Sequence, residues 1–188
     1  MKAIETIIPG VIIFEPTVFE DERGYFFESY NAQEFERLTG KNVVYVQDNQ
    51  SCSKYGVIRG LHFQKPPFVQ AKLVRVLRGA ILDVAVDMRT GSPTFGAHVA
   101  VKLSSENKRQ LFLPRGFAHG FSTLSFDGAE VLYKCDNGYS KDHESGVRYD
   151  DLQLAIDWQI PKEAQTFSTK DMQYGSLESV KDVFFYEA

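Results

Sequence analysis

Short runs in which apolar residues return at every second position dominate the chain. The stretch "AKLVRVLRGAILDVAVDMR" (71–89) holds two such runs, parted at Arg78-Gly79 and rich in aliphatic and β-branched residues. In the first, Lys72, Val74 and Val76 share one face of a strand. In the second, Ile81, Asp83, Ala85 and Asp87 share a face, while Leu82, Val84, Val86 and Met88 take the other. Both faces of this second run are largely apolar near its centre, which predicts a strand buried on both sides. A carboxylate at Asp83 inside such a strand needs a partner.

The alternation continues downstream. "TGSPTFG" (90–96) is turn chemistry, "HVAVKLS" a strand and "SSENKR" a polar turn. "RQLFLPRGFAHGFSTLS" reads as two short strands around a Pro-Arg-Gly corner, and "AEVLYKCDNGYS" as a strand followed by a loop. Many short strands at fairly regular spacing predict an all-β sandwich or barrel. Helical signals are few. "NAQEFERLTG" offers Asn31 as an N-cap, Glu34 three residues later and Gly40 as a stop. Residues 150–156 suit a turn or short helix, and "SLESVKDVFFYEA" is compatible with helix or strand. No repeat, low-complexity tract or linker divides residues 1–188, so one domain is expected.

Composition narrows the function classes. The hydrophobic and charged fractions, 43% and 24%, are those of an ordinary soluble globular protein. A net charge of −4 gives no general attraction to nucleic acid or anionic lipid. No apolar run approaches the ~18 residues of a membrane span, and Pro9-Gly10 interrupts the N-terminal apolar stretch before it resembles a signal sequence. Cys52 and Cys135 are far apart and in no CxxC pattern, which argues against a disulfide scaffold or zinc knuckle and makes a reducing cytoplasm the simplest home.

Candidate chemistry centres on "GVIRGLHFQKPP" (56–67). From its neighbours alone, His62 serves equally as a histidine closing a strand or as a functional group. A metal site needs three or four clustered ligands, yet the next residue on the same face is Gln64, and "KPPFVQAK" holds no carboxylate or histidine. Proton transfer needs a base, an acid on the far side of the substrate, and donors for a developing oxyanion. His62 suits the base and Tyr133 the acid, although a tyrosine in such a run is commonly a core aromatic. Lys72 opens a buried strand, where a snorkelling edge lysine is the plainer account. Asp171 could orient a histidine or simply cap a turn, and His119 could be a satisfied core histidine. Arginine stands beside glycine at Arg23, Arg59, Arg78 and Arg115, a pairing that lets a guanidinium approach a flat anion. No glycine-rich phosphate loop is present.

These residues lie in motifs that resemble, over almost the whole length, the dTDP-4-dehydrorhamnose 3,5-epimerases of the cupin superfamily. The motifs run in the family's order: "PGVIIFEP", "DERGYFFESY", "VQDNQS", "GVIRGLHFQ", "AKLVRVLRGAILDVAVDMRTGSPTFG", "LFLPRGFAHGF", "LYK" and "STKD". The resemblance implies a cupin jelly-roll β-sandwich with a few short helices, a homodimer, and catalysis without metal or organic cofactor. It implies a nucleoside-diphosphate 4-keto-6-deoxy sugar as substrate, and no nucleic-acid or membrane partner. His62 then matches the base, Tyr133 the proton donor and Asp171 the acid paired with the base. Lys72 and His119 match polar residues lining the sugar site. Arg23, Glu28, Gln47, Asp48, Asn49, Arg59, Glu144 and Lys170 match positions that hold the nucleotide sugar, with Arg23 and Glu28 reaching the partner subunit's site.

The chemistry so implied is self-consistent. A ketone at C4 acidifies the hydrogens on C3 and C5 alike, and removal of either gives an enolate with charge on O4. Histidine titrates near neutrality and can take that proton, a lysine near O4 can stabilise the enolate, and a tyrosine on the opposite face can return a proton with inversion. Single-site epimerases and ketoisomerases of related sugar nucleotides would use similar parts. One position departs from the family pattern: "DNGYS" carries Gly138 where relatives often have the first of two adjacent aromatics.

Overall fold

The computed structural model describes residues 1–186. The chain opens with β1 (Lys2–Glu5), β2 (Ile12–Glu15), β3 (Phe19–Asp21), β4 (Gly24–Phe26) and the helix α1 (Ala32–Thr39). It continues through β5 (Gln47–Ser53), β6 (Ile58–Gln64), β7 (Lys72–Arg78), β8 (Ala80–Asp87), β9 (Arg89–Thr90) and β10 (His98–Ser104). Then come β11 (Gln110–Leu113), β12 (Phe117–Thr123), β13 (Ala129–Cys135), β14 (Glu144–Gly146) and β15 (Phe184–Phe185). Two sheets form a sandwich: six strands in the order β1-β2-β11-β7-β13-β5, and five in the order β10-β8-β12-β6-β14. β3 and β4 make a separate hairpin, and β15 runs parallel to β9.

The two-residue alternation explains the layers. Val74 and Val76 of β7, Val131 of β13 and Leu111 of β11 point inward from the six-stranded sheet. They meet Ile81 and Ala85 of β8, Val99 and Val101 of β10, and Phe117 and Phe121 of β12. Each of the larger side chains, once fully buried, contributes roughly 1.5–3 kcal/mol of transfer free energy. The expected two-sided burial of β8 is observed, because Leu82, Val84, Val86 and Met88 form a second cluster with Leu154, Trp158, Leu177 and Phe184. The segment after β14 is thus a strap laid over the outer face of the five-stranded sheet. The opposite outer face is covered by α1, whose Phe35 packs with Phe14, Leu73 and Phe112. Asn31 accepts a hydrogen bond from the Glu34 amide and Gly40 closes α1 with φ of 68°, the two ends expected of this helix.

Two tail segments resolve as mixtures. Residues 150–156 are turns, and 177–185 holds a 3-10 turn at Leu177–Val180 followed by β15. Asp87 supports this end of the sandwich: its buried carboxylate accepts from Arg89, Ser92 and Thr94, and Arg89 in turn lies 4.6 Å from the Phe117 ring.

Close approach of β6 and β12 fixes the register that matters for function. A Cβ on Gly60 would sit 2.5 Å from the Gly120 Cα, and one on Gly120 would meet the Arg59 carbonyl oxygen at 2.7 Å. With glycine at both positions the strands close around an irregularity between His119 and Phe121, and His119 falls opposite His62.

Candidate active site

His62 lies within β6 rather than at its end, so the strand-closing reading of this histidine does not hold. It faces a cavity of about 320 Å³ between the sheets. β5, β13 and β7 line the opposite wall with Gln47 and Asn49, Tyr133, and Lys72, in registers that place Tyr133 across from Asn49 and Cys135 across from Lys72. β14 adds Glu144.

The strap delivers Asp171 to the imidazole. Gly146 pairs opposite His62 on β14, and a Cβ there would stand 2.7 Å from the Tyr174 ring. Without that Cβ the strap comes close enough for Asp171 Oδ1 to lie 2.6 Å from His62 Nε2. The Tyr174 ring meets the imidazole edge-on, with centroids 5.6 Å apart. Asp171 is sealed, its side chain 3% exposed, while that of His62 is 26% exposed, so His62 is the member a ligand reaches. Burial pushes the Asp171 carboxyl up, but hydrogen bonding and charge from His62 outweigh it and hold the group below its usual range. An ionised Asp171 accepting from Nε2–H leaves the Nδ1 lone pair free for chemistry.

Lys72 begins an interior strand, which removes the snorkelling-edge reading; its Nζ stands 5.8 Å from the Tyr133 ring centroid. Burial lowers the Lys72 pKa, against the charges of Cys135, Asp83 and Glu144. Burial raises that of Tyr133, which keeps its hydroxyl protonated at neutral pH. Asp83 finds the partner its position demands: Oδ1 lies 2.7 Å from His119 Nε2, and both side chains are buried. Burial lowers the His119 pKa, which keeps this imidazole neutral; His119 shares the inward face of β12 with Phe117 and Phe121, opposite His62, and its ring lies 6.3 Å from that of Tyr133.

Glu144 Oε1 accepts from Lys170 at 2.6 Å and Oε2 from Tyr139 at 2.9 Å. These donors outweigh burial and keep its carboxyl lowered. Lys170 thereby reaches the rim. Other expected ligand residues lie elsewhere. Asp48 sits between Gln47 and Asn49 on β5, so alternation turns it to the outer face, where both its oxygens are 3.1 Å from Lys134 Nζ; it does not join this cavity. Arg59, on β6, donates through Nε to Ser53 Oγ at the end of β5 at 2.9 Å. Arg23 and Glu28 belong to the β3–β4 arm and the segment after it, away from this cavity; Arg23 pairs with Asp21, and Glu28 accepts from Asn31.

Sequence reading passed over Gln70 and Tyr139 as cavity residues, and treated Gln64 only as a poor ligand; all three line the cavity. The alternation of β6, which puts Gln64 two residues from His62, was the available signal for Gln64. Among the described residues no group of three or more His, Cys, Asp or Glu side chains converges as a metal site, and no helix is long and apolar enough to cross a membrane.

Comparison with known proteins gives the geometry its context. The model of the family described as dTDP-4-dehydrorhamnose 3,5-epimerase matches residues 5–179. A protein of that name from Shigella flexneri is 54% identical over 172 residues, covering 92% of this chain and 93% of its own. The crystal structure of dTDP-6-deoxy-D-glucose-3,5-epimerase from Legionella pneumophila, in complex with dTDP-4-keto-L-rhamnose, superposes with a TM-score of 0.94 at 46% identity, covering 100% of this chain and 99% of that one. That of dTDP-4-dehydrorhamnose 3,5-epimerase from Elizabethkingia anophelis gives 0.91 at 52% identity, covering 95% and 97%. The sandwich is therefore the cupin jelly roll, and the chain belongs to the dTDP-4-dehydrorhamnose 3,5-epimerase family.

Proposed function

We propose that the chain epimerises dTDP-4-dehydro-6-deoxy-D-glucose at C3 and C5 to dTDP-4-dehydro-L-rhamnose, a step of dTDP-rhamnose biosynthesis. One observation carries the assignment of roles: the His62–Asp171 pair on one wall faces Tyr133 and Lys72 on the other. In this reading His62 Nδ1 takes the proton from the carbon next to the ketone. The C–H electron pair becomes the enolate double bond, and charge moves to O4, where the Lys72 ammonium stabilises it. Tyr133 then gives its hydroxyl proton to the opposite face, re-forming C–H with inverted configuration. Solvent takes the proton left on His62 and restores that of Tyr133 before the next centre reacts, so atoms and electrons balance and the scheme calls for no nicotinamide.

Incubation of that substrate in deuterated water is expected to place deuterium at both C3 and C5. Label at C3 alone would make the chain a single-site epimerase; absence of label would sink the reading for this substrate.

The functional unit is read as a homodimer that shares its sites. Phe19, Tyr25 and Phe26 of the β3–β4 arm are 63%, 60% and 70% exposed, an apolar patch that a partner would cover. Arg23 at the arm's turn would then join the partner's pocket, with Glu28 beside it. Arg23→Ala and His62→Ala proteins, each impaired alone, are expected to regain activity when their subunits are exchanged, since one mixed site is intact. No recovery, or an active monomer in light scattering, would contradict this. The proposed compartment is the cytoplasm, supported by two free thiols at Cys52 and Cys135 and testable by cell fractionation.

A further inference from the structure

We propose that Gln64 is a positioning residue that holds Tyr139 as a wall of the substrate pocket. The inference deepens the nucleotide-sugar reading above and rests on it. Gln64 is 5% exposed, and both of its amide hydrogens and its oxygen are engaged. Nε2 donates to the Phe68 carbonyl at 2.9 Å and the Gly138 carbonyl at 3.0 Å, while Oε1 accepts from the Ser140 amide at 2.6 Å. Two further glutamines act on the same loop. Gln47 Oε1 accepts from the Tyr139 amide at 3.1 Å, and Gln70 Nε2 donates to the Asn137 carbonyl at 2.8 Å.

Packing does little to fix the tip of this loop. Tyr139 is 56% exposed, and a Cβ at Gly138 would meet nothing within 4 Å. Side-chain amides therefore set its course. The arrangement closes on itself: the Tyr139 hydroxyl donates to Glu144, and Glu144 pairs opposite Gln64 between β14 and β6. Gln64 thus ties the strand that carries His62 to the loop that carries Tyr139. Gly138 explains why the tie matters here, since no side chain at that position helps to hold or line the mouth.

The test is a double-mutant cycle with dTDP as the calorimetric probe. Gln64→Glu keeps the shape and the Oε1 acceptor but sets a carboxylate oxygen against two carbonyls; Gln64→Met removes all three bonds. Each is expected to weaken dTDP binding ~10-fold, the loss of one to two net hydrogen bonds. In a Tyr139→Ala background the same changes should cost about twofold or less, because the effect runs through Tyr139. KM should rise more than kcat falls. Fully additive losses, unchanged affinity, or a fall in kcat alone would overturn the proposal. If neither variant folds, amide hydrogen exchange of the intact protein decides. Slow exchange at Tyr139 and Ser140 supports the clamp, and exchange at exposed-loop rates refutes it. A wild-type chain that ignores dTDP would sink the substrate reading instead, and the exchange data would still judge the clamp.

Discussion

His62→Ala is expected to lose both solvent exchange and epimerisation, by ~10² to 10⁴-fold or more, because a general base contributes that much and this one acts in a dyad. No second group is equipped to replace it. His119 is buried and bonded to Asp83, and its pKa is lowered by burial, so its imidazole is the weaker base. The partner variant sharpens the assignment. In Asp171→Asn the amide can donate to Nε2, which drives the imidazole proton onto Nδ1 and occupies the lone pair that should take the substrate proton. A loss on the order of 10³-fold follows from the wrong tautomer, with the ring still in place. Retention of near-normal exchange in Asp171→Asn, measured by NMR, would mean that the amide turns its oxygen to Nε2–H and that the carboxylate charge is not needed by the base, which would overturn the dyad reading.

Tyr133→Phe should separate two events that the wild type couples. The variant keeps the base and the aromatic ring but deletes the donor hydroxyl. Deprotonation survives in part, and His62 returns a solvent-derived proton to the face it came from. Deuterium incorporation should therefore outrun inversion, and the ratio of label to inverted product should rise well above wild type, with inversion down ~10² to 10⁴-fold. Burial raises the Tyr133 pKa, so the hydroxyl being deleted is a protonated one at neutral pH. Inversion of C5 at the wild-type rate would demote Tyr133 to a core aromatic lying 6.3 Å from the His119 ring.

The core strands were legible because their inward residues are apolar. β7 and β8 announce themselves by alternation, and the buried carboxylate of Asp83 correctly demanded a partner. β5 was not legible by the same means. "QDNQSCS" forms a seven-residue strand whose inward positions include Gln47 and Asn49, which face the cavity and therefore carry amides where a core strand carries valine. The family resemblance supplied those two residues, yet it swept in Asp48, which alternation alone would have turned outward. The loop at 137–140 escaped for a related reason: it is shaped by side-chain amides from distant strands, and such long-range bonds leave no periodic trace. Nor does any local pattern tell that Gly60 and Gly120 are one contact, or that Gly146 makes room for Tyr174.

The strap gives the chemistry a place in time. Every strand of both sheets lies at or before Gly146, and Asp171 arrives only afterwards, on a segment that needs the finished outer face of β8 and β6 to pack against. During synthesis from the N-terminus the sandwich can close around His62, Lys72 and Tyr133 while the imidazole still lacks its carboxylate. In the proposed mechanism, a chain truncated before the strap would keep the walls of its own cavity but hold His62 without the carboxylate that sets its tautomer.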